Sequence, residues 1–131
     1  MRVPISSPQA PKPVGPYSVA IATENVLYLS AMAGIDPATG KLVPGGIGPE
    51  TTQTLENLRQ VLAADGLDFG DVVRSNLYLL DMADWATVNE VYGRTIGNPP
   101  PARTTIGAGS LPIGAKIEIE MIAVRRPSTG D

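Results

Sequence analysis

The chain is 131 residues long, 43% hydrophobic and 18% charged, with a formal charge of −3; this fits one globular domain over 1–131 and excludes a disordered or collagen-like chain. It contains no histidine and no cysteine, which removes disulfides, zinc fingers, thiolate nucleophiles, Ser-His-Asp triads and haem-binding histidines together. The ten Lys and Arg are scattered, with no five-residue window holding more than two, so the concentrated basic footprint of a nucleic-acid binder is missing.

Residues 1–7 carry no apolar run, and no stretch approaches the ~20 apolar residues that span a membrane. The cytoplasm is the simplest compartment. Residues 1–12 hold three prolines and read as an extended arm or an edge strand. Gly15-Pro16 makes a turn, and Tyr17 opens an apolar run. Strands are predicted over 17–22 and 26–32, joined as a hairpin through Thr23-Glu24-Asn25. Asp36-Pro37-Ala38-Thr39-Gly40 is a second turn.

Residues 45–48 are glycine-rich, and Pro49 then fits the first turn of a helix. Leu55, Leu58, Val61 and Leu62 recur at helical spacing, with Gln53, Glu56, Asn57 and Gln60 assigned to the other face. Gly66 closes this helix. Residues 72–80 read as a buried strand. Asp81 or Asp84 can cap a second helix, along which Trp85, Val88, Val91 and Tyr92 repeat before Gly97 stops it. Pro99, Pro100 and Pro101 bring an extended chain to a strand over 103–107. A loop over 107–114 precedes the last strand, 116–124.

The order ββ-α-β-α-β-β predicts an α+β domain with two helices on one face of a mixed sheet. In the last strand Ile117, Ile119, Met121 and Ala123 share one face, and Glu118, Glu120, Ile122 and Val124 the other. Both faces carry apolar residues and two helices cover only one, so oligomerisation is expected.

Arg103 stands at the mouth of a strand behind a stiff approach. Read from the residues alone, it is either a surface charge at a strand end or a planar fork for a carboxylate, which it can grip with two parallel hydrogen bonds. Glu120 is either a working carboxylate or part of a solvated face with Glu118. No Asp/Glu cluster has calcium-loop spacing, so no metal site is expected.

Four motifs appear in order: Gly15-Pro16-Tyr17-Ser18, Asp36-Pro37-Ala38-Thr39-Gly40, Pro101-Ala102-Arg103-Thr104-Thr105, and Ile117-Glu118-Ile119-Glu120-Met121-Ile122-Ala123. Together they resemble the RidA family, also called the YjgF/YER057c/UK114 family, over nearly the whole chain. The resemblance implies a chorismate-mutase-like fold and a homotrimer with clefts between subunits. It also implies cofactor-independent hydrolysis of reactive 2-imino and enamine acids to 2-keto acids and ammonia. The family's carboxylate-binding arginine is matched to Arg103, its last-strand acid to Glu120, and its turn tyrosine to Tyr17. Its strand-end serine is matched to Ser30 and its helical asparagine to Asn89. On that basis Arg103 anchors the substrate carboxylate, Glu120 holds or deprotonates water, and Tyr17, Ser30 and Asn89 line the pocket. The bland alternatives are a packing role for Tyr17, a strand-end hydroxyl for Ser30 and a polar helix position for Asn89.

The sequence departs from the imine-hydrolysing members at the pocket wall. Where they read Ser-Gly-Gln-Ile-Pro, this chain has Ser30-Ala31-Met32-Ala33-Gly34. Thr95 and Ile96 stand near the usual aromatic pair, Thr105 replaces a frequent cysteine, and residues 89–103 form a shorter segment. A non-catalytic binder of small carboxylates is the alternative function. A ribonuclease or translation inhibitor, a label some members carry, fits the acidic pI of about 4.8 less well.

Overall fold

The structure, a computed structural model, describes residues 1–126; the expected domain's last residues, 127–131, lie outside the described ones. The elements in chain order are β1 (Val3–Ile5), β2 (Ala20–Ala22), β3 (Val26–Met32), β4 (Ile35–Asp36), β5 (Lys41–Leu42), α1 (Ile47–Ala64), β6 (Val72–Leu79), α2 (Trp85–Ile96), β7 (Ala102–Gly107) and β8 (Ile117–Val124). Six strands form one sheet in the order β1-β2-β3-β8-β6-β7, and β4 pairs separately with β5. All neighbours in the large sheet are antiparallel except β6 and β7. That parallel pair requires a crossover, and α2 supplies it.

The period-two pattern of the last strand decides which face is core. Ile117, Ile119, Met121 and Ala123 are buried, and they meet Leu27, Leu29, Leu77 and Leu79 from the neighbouring strands. Leu55, Leu58, Val61 and Leu62 of α1 close over them. Full burial of each such side chain is worth about 1.5–3 kcal/mol. Both helices cover this one face, as the sequence leads one to expect. Val88, Val91, Tyr92 and Ile96 carry the buried stripe of α2, and Gly97, at φ 84, ends it in a conformation glycine adopts freely.

Three details differ from the sequence expectation, and one left open between Asp81 and Asp84 is resolved. The strand expected over 17–22 begins only at Ala20, because Tyr17 N–H bonds Gly15 C=O and holds residues 15–17 in a turn. Trp85 is 48% exposed; as the first residue of α2 it lies beyond the covered stretch of the helix. Asp81 accepts from Ala83 N in the short 3-10 turn before α2, while Asp84 takes the cap position of α2 without a side-chain bond. Asn57, assigned to the outer face of α1, is fully buried, because its amide finds two backbone carbonyls inside. The arm settles as an edge strand, β1 against β2.

Candidate functional site

Arg103 is built into a cradle on the helix side of the sheet. Its guanidinium lies over the Tyr92 ring, 4.9 Å from the centroid, a favourable cation–ring contact. Nε donates to Thr105 Oγ1 at 2.9 Å, and Nη2 donates to Asn89 Oδ1 at 2.5 Å. The ring beneath is itself fixed: the Tyr92 hydroxyl and the buried Ser75 hydroxyl share a hydrogen bond of 2.5 Å. Burial raises the Tyr92 pKa, against the opposing effects of the Ser75 bond and the Arg103 charge, so the phenol stays neutral under the cation. Arg59, Arg94, Arg125 and Arg126 are each paired with a carboxylate. Arg103 has no ion pair among the described residues. Neutral oxygens and a ring orient it without spending its charge.

The opposite face of the sheet holds a hollow between the N-terminal arm, the end of β3 and the start of β8. Pro11, Val14, Tyr17, Ser30, Met32 and Glu118 are among its lining residues. A register shift between Leu29 and Met32 marks a bulge against β8. The extra residue lets Ser30 and its neighbour Ala31 both reach the hollow wall. Ser30 Oγ donates to Ser18 C=O at 2.7 Å, and the Tyr17 hydroxyl accepts from Val14 N at 3.3 Å. Glu118 is partly buried, and its carboxylate accepts no hydrogen bond among the described residues; burial pushes its pKa up.

Glu120, matched to the family's acid, sits elsewhere. It lines a second hollow with Tyr28, Arg74, Asn76 and Ile122. Its Oε1 accepts from Asn76 Nδ2 at 3.1 Å and from the Tyr78 hydroxyl. The Tyr78 pKa is raised, first by that bond to Glu120 and then by burial. Ser30 lines both hollows, whereas Tyr17 lines only the one that holds Glu118. Asn89 and Arg103 are brought together on the other side. Asn76 and Tyr78 were missed in the sequence, although Arg74, Asn76 and Tyr78 alternate along β6 and signal a polar face.

Cross-strand partners share a face of a sheet. Leu29, Met121, Ser75 and Arg103 form one row on the helix face. Glu118, Tyr78 and Ile106 form a row on the open face. Arg103 and Glu118 of one chain therefore point away from each other across the sheet. Among the described residues no group of three His, Cys, Asp or Glu side chains converges in a way that would hold a metal ion.

Comparison with known proteins agrees along nearly the whole described chain. The family model described as Endoribonuclease L-PSP matches residues 7–125. Protein DfrA of Myxococcus xanthus is 47% identical over 125 residues, covering 94% of this chain and 95% of that protein. The 2-iminobutanoate/2-iminopropanoate deaminase of Mus musculus is 43% identical over 127 residues, covering 97% of this chain and 94% of that protein. The crystal structure of RidA from the Antarctic bacterium Psychrobacter superimposes with a TM-score of 0.92 at 36% identity, covering 95% of this chain and 100% of that one. A family match over this length, joined to relatives aligned nearly end to end, makes the chain a member of the Endoribonuclease L-PSP family, the family of RidA.

Proposed function

We propose that the chain hydrolyses reactive 2-imino acids and their enamine tautomers to 2-keto acids and ammonia, as a single RidA-like domain acting in the cytoplasm without a cofactor. Relatives aligned over most of the chain carry the name of that activity. The observation that carries the reading in this chain is Arg103: an oriented guanidinium with no carboxylate partner among the described residues, presented for the carboxylate of a small acid. Anchoring that end fixes the C=N carbon, and such positioning is worth several kcal/mol.

Glu118 is the carboxylate we assign to the water, in place of Glu120. It shares the hollow of Tyr17 and accepts no hydrogen bond among the described residues, whereas Glu120 is engaged by Asn76 and Tyr78. A carboxylate with a raised pKa is a better base. It takes a proton from water as oxygen adds to the imine carbon, and returns it to nitrogen. The carbinolamine then collapses: its hydroxyl proton passes by way of Glu118 to the nitrogen, the C=O bond forms as the C–N bond breaks, and ammonia leaves.

Arg103 and Glu118 lie on opposite faces of one sheet, so a shared substrate requires the arginine of one copy beside the hollow of the next. A homotrimer with sites between subunits meets that requirement. The open face is suited to be covered: Tyr28, Ile106 and Val124 are exposed on it. We do not assign the endoribonuclease activity of the family description, because the scattered basic residues give no footprint for an RNA backbone.

The test is ammonia release from freshly generated 2-iminobutanoate, alongside saturation binding of a 2-keto acid. Arg103→Ala and Arg103→Lys should be nearly equally damaging, since lysine keeps the charge but loses the fork. Each should cost about 2–4 kcal/mol in transition-state stabilisation while the fold holds. Saturable keto-acid binding by the parent without faster ammonia release would identify a carboxylate binder instead. If Arg103→Ala binds and turns over like the parent, the site is wrongly placed.

A further inference from the structure

Helix α1 buries an unusual set of polar residues against the sheet. Glu50 is 3% exposed, and Thr51, Thr54 and Asn57 are fully buried. The two threonines satisfy themselves on the helix, each hydroxyl donating to the carbonyl one turn back. Glu50 and Asn57, seven residues apart and so on one face, reach out of it instead. Asn57 Nδ2 donates to Ala33 C=O at 3.1 Å and to Ile35 C=O at 2.9 Å. Its Oδ1 accepts from Gln53 Nε2 at 2.9 Å, which fixes the amide's orientation. Glu50 Oε1 accepts from Lys116 N at 2.9 Å, and Oε2 lies 4.0 Å from Lys116 Nζ. Gly34 seats this segment on the helix: a Cβ there would meet Glu50 C=O at 2.6 Å.

The gripped backbones are the two walls of one hollow. Ala33 and Ile35 line it on the β3 side, and Glu118 lines it two residues beyond Lys116. We propose that Glu50 and Asn57 are positioning residues for the candidate site, Glu50 setting the strand start that carries Glu118 and Asn57 setting the facing wall. This rests on the assignment of Glu118 above. A leucine at either place would fill the core as well. A buried carboxylate carries a desolvation cost, and here its hydrogen bond fixes the backbone beside a reacting group.

The experiment separates this role from plain stability. Glu118 shares its hollow with Lys12 and Tyr17 from the arm side and pairs with Tyr78 across the strands, while Lys116, two residues before it, lies against Glu50. Its carboxyl can be titrated directly by carbon NMR, without turnover. Glu50→Ala should lower kcat on the order of 10–100-fold and move the Glu118 titration down toward the ordinary carboxylate range as the strand start loosens. Glu50→Gln, which still accepts from Lys116 N, should stay within about threefold. Asn57→Ala should act mainly on KM, on the order of tenfold. If Glu50→Ala does not fold, Glu50→Asp decides, being too short to reach Lys116 N. Losses of thermal stability with the Glu118 titration and kinetic constants unchanged would overturn the proposal. Glu118→Gln is the control: full turnover there sinks the functional assignment, and the NMR titration still tests the positioning.

Discussion

The two hollows of the open sheet face are lined by glutamates two residues apart, and they are furnished in opposite ways. Around Glu120, Asn76 and Tyr78 converge on a single carboxylate oxygen. Around Glu118 no side chain among the described residues donates, and burial raises its pKa. The first hollow is complete as it stands, with donors matched to an acceptor. The second leaves a proton acceptor partly out of water and unpartnered, an arrangement more useful to a ligand than to the fold. Position on a strand face does not distinguish these glutamates; their neighbours across the sheet do.

The sharpest way to break this comparison is to exchange roles by substitution. Glu118→Gln should reduce imine turnover by roughly 100–10,000-fold, the range for loss of a positioned general base, while keto-acid binding through Arg103 persists. Glu120→Gln should leave turnover within about threefold, because the amide oxygen still accepts from Asn76 and Tyr78. A reversed pattern would return the site to Glu120.

The next effect is smaller and lies in pH. Raised by burial, Glu118 loses its proton only above the ordinary glutamate range. Turnover that needs the ionised form should therefore decline on acidification while free glutamates are still charged. Stability runs the other way. A folded-state pKa above the unfolded value stabilises the protein below the unfolded pKa, and that contribution is lost as pH rises through the folded value. Charged Glu118 thus costs stability at neutral pH. Glu118→Gln should raise Tm at pH 7, with the gain fading toward pH 4. An unchanged difference across that range would mean that Glu118 titrates like a solvated side chain.

Much of this was legible in the residues. The leucines of α1 and the alternation 117–124 mark the core, because burial follows period 3.6 on a helix and 2 on a strand. Pro101-Ala102-Arg103 marks the arginine proposed here as the carboxylate fork. Three things were not legible. The same alternation that places Glu118 and Glu120 on one face cannot rank them, because the choice depends on β6 lying beside β8 and on the bulge at the end of β3. Asn57 reads as a polar outer position, because the carbonyls that accept from it are 24 and 22 residues away. The cradle of Arg103 needs Ser75, Tyr92 and Thr105 from three elements, and no local spacing joins them.

The back-to-back placement of Arg103 and Glu118 carries a genetic consequence. Two inactive chains, one lacking the arginine and one lacking the glutamate, carry complementary defects. In the proposed cyclic trimer each mixed ring would have one junction where an intact arginine meets an intact glutamate. Unfolding and refolding the two proteins together in equal amounts should restore about a quarter of the parent's activity, the chance that both halves of a random junction are sound. Refolding either alone should restore none. Cells expressing both alleles would regain function that neither allele encodes.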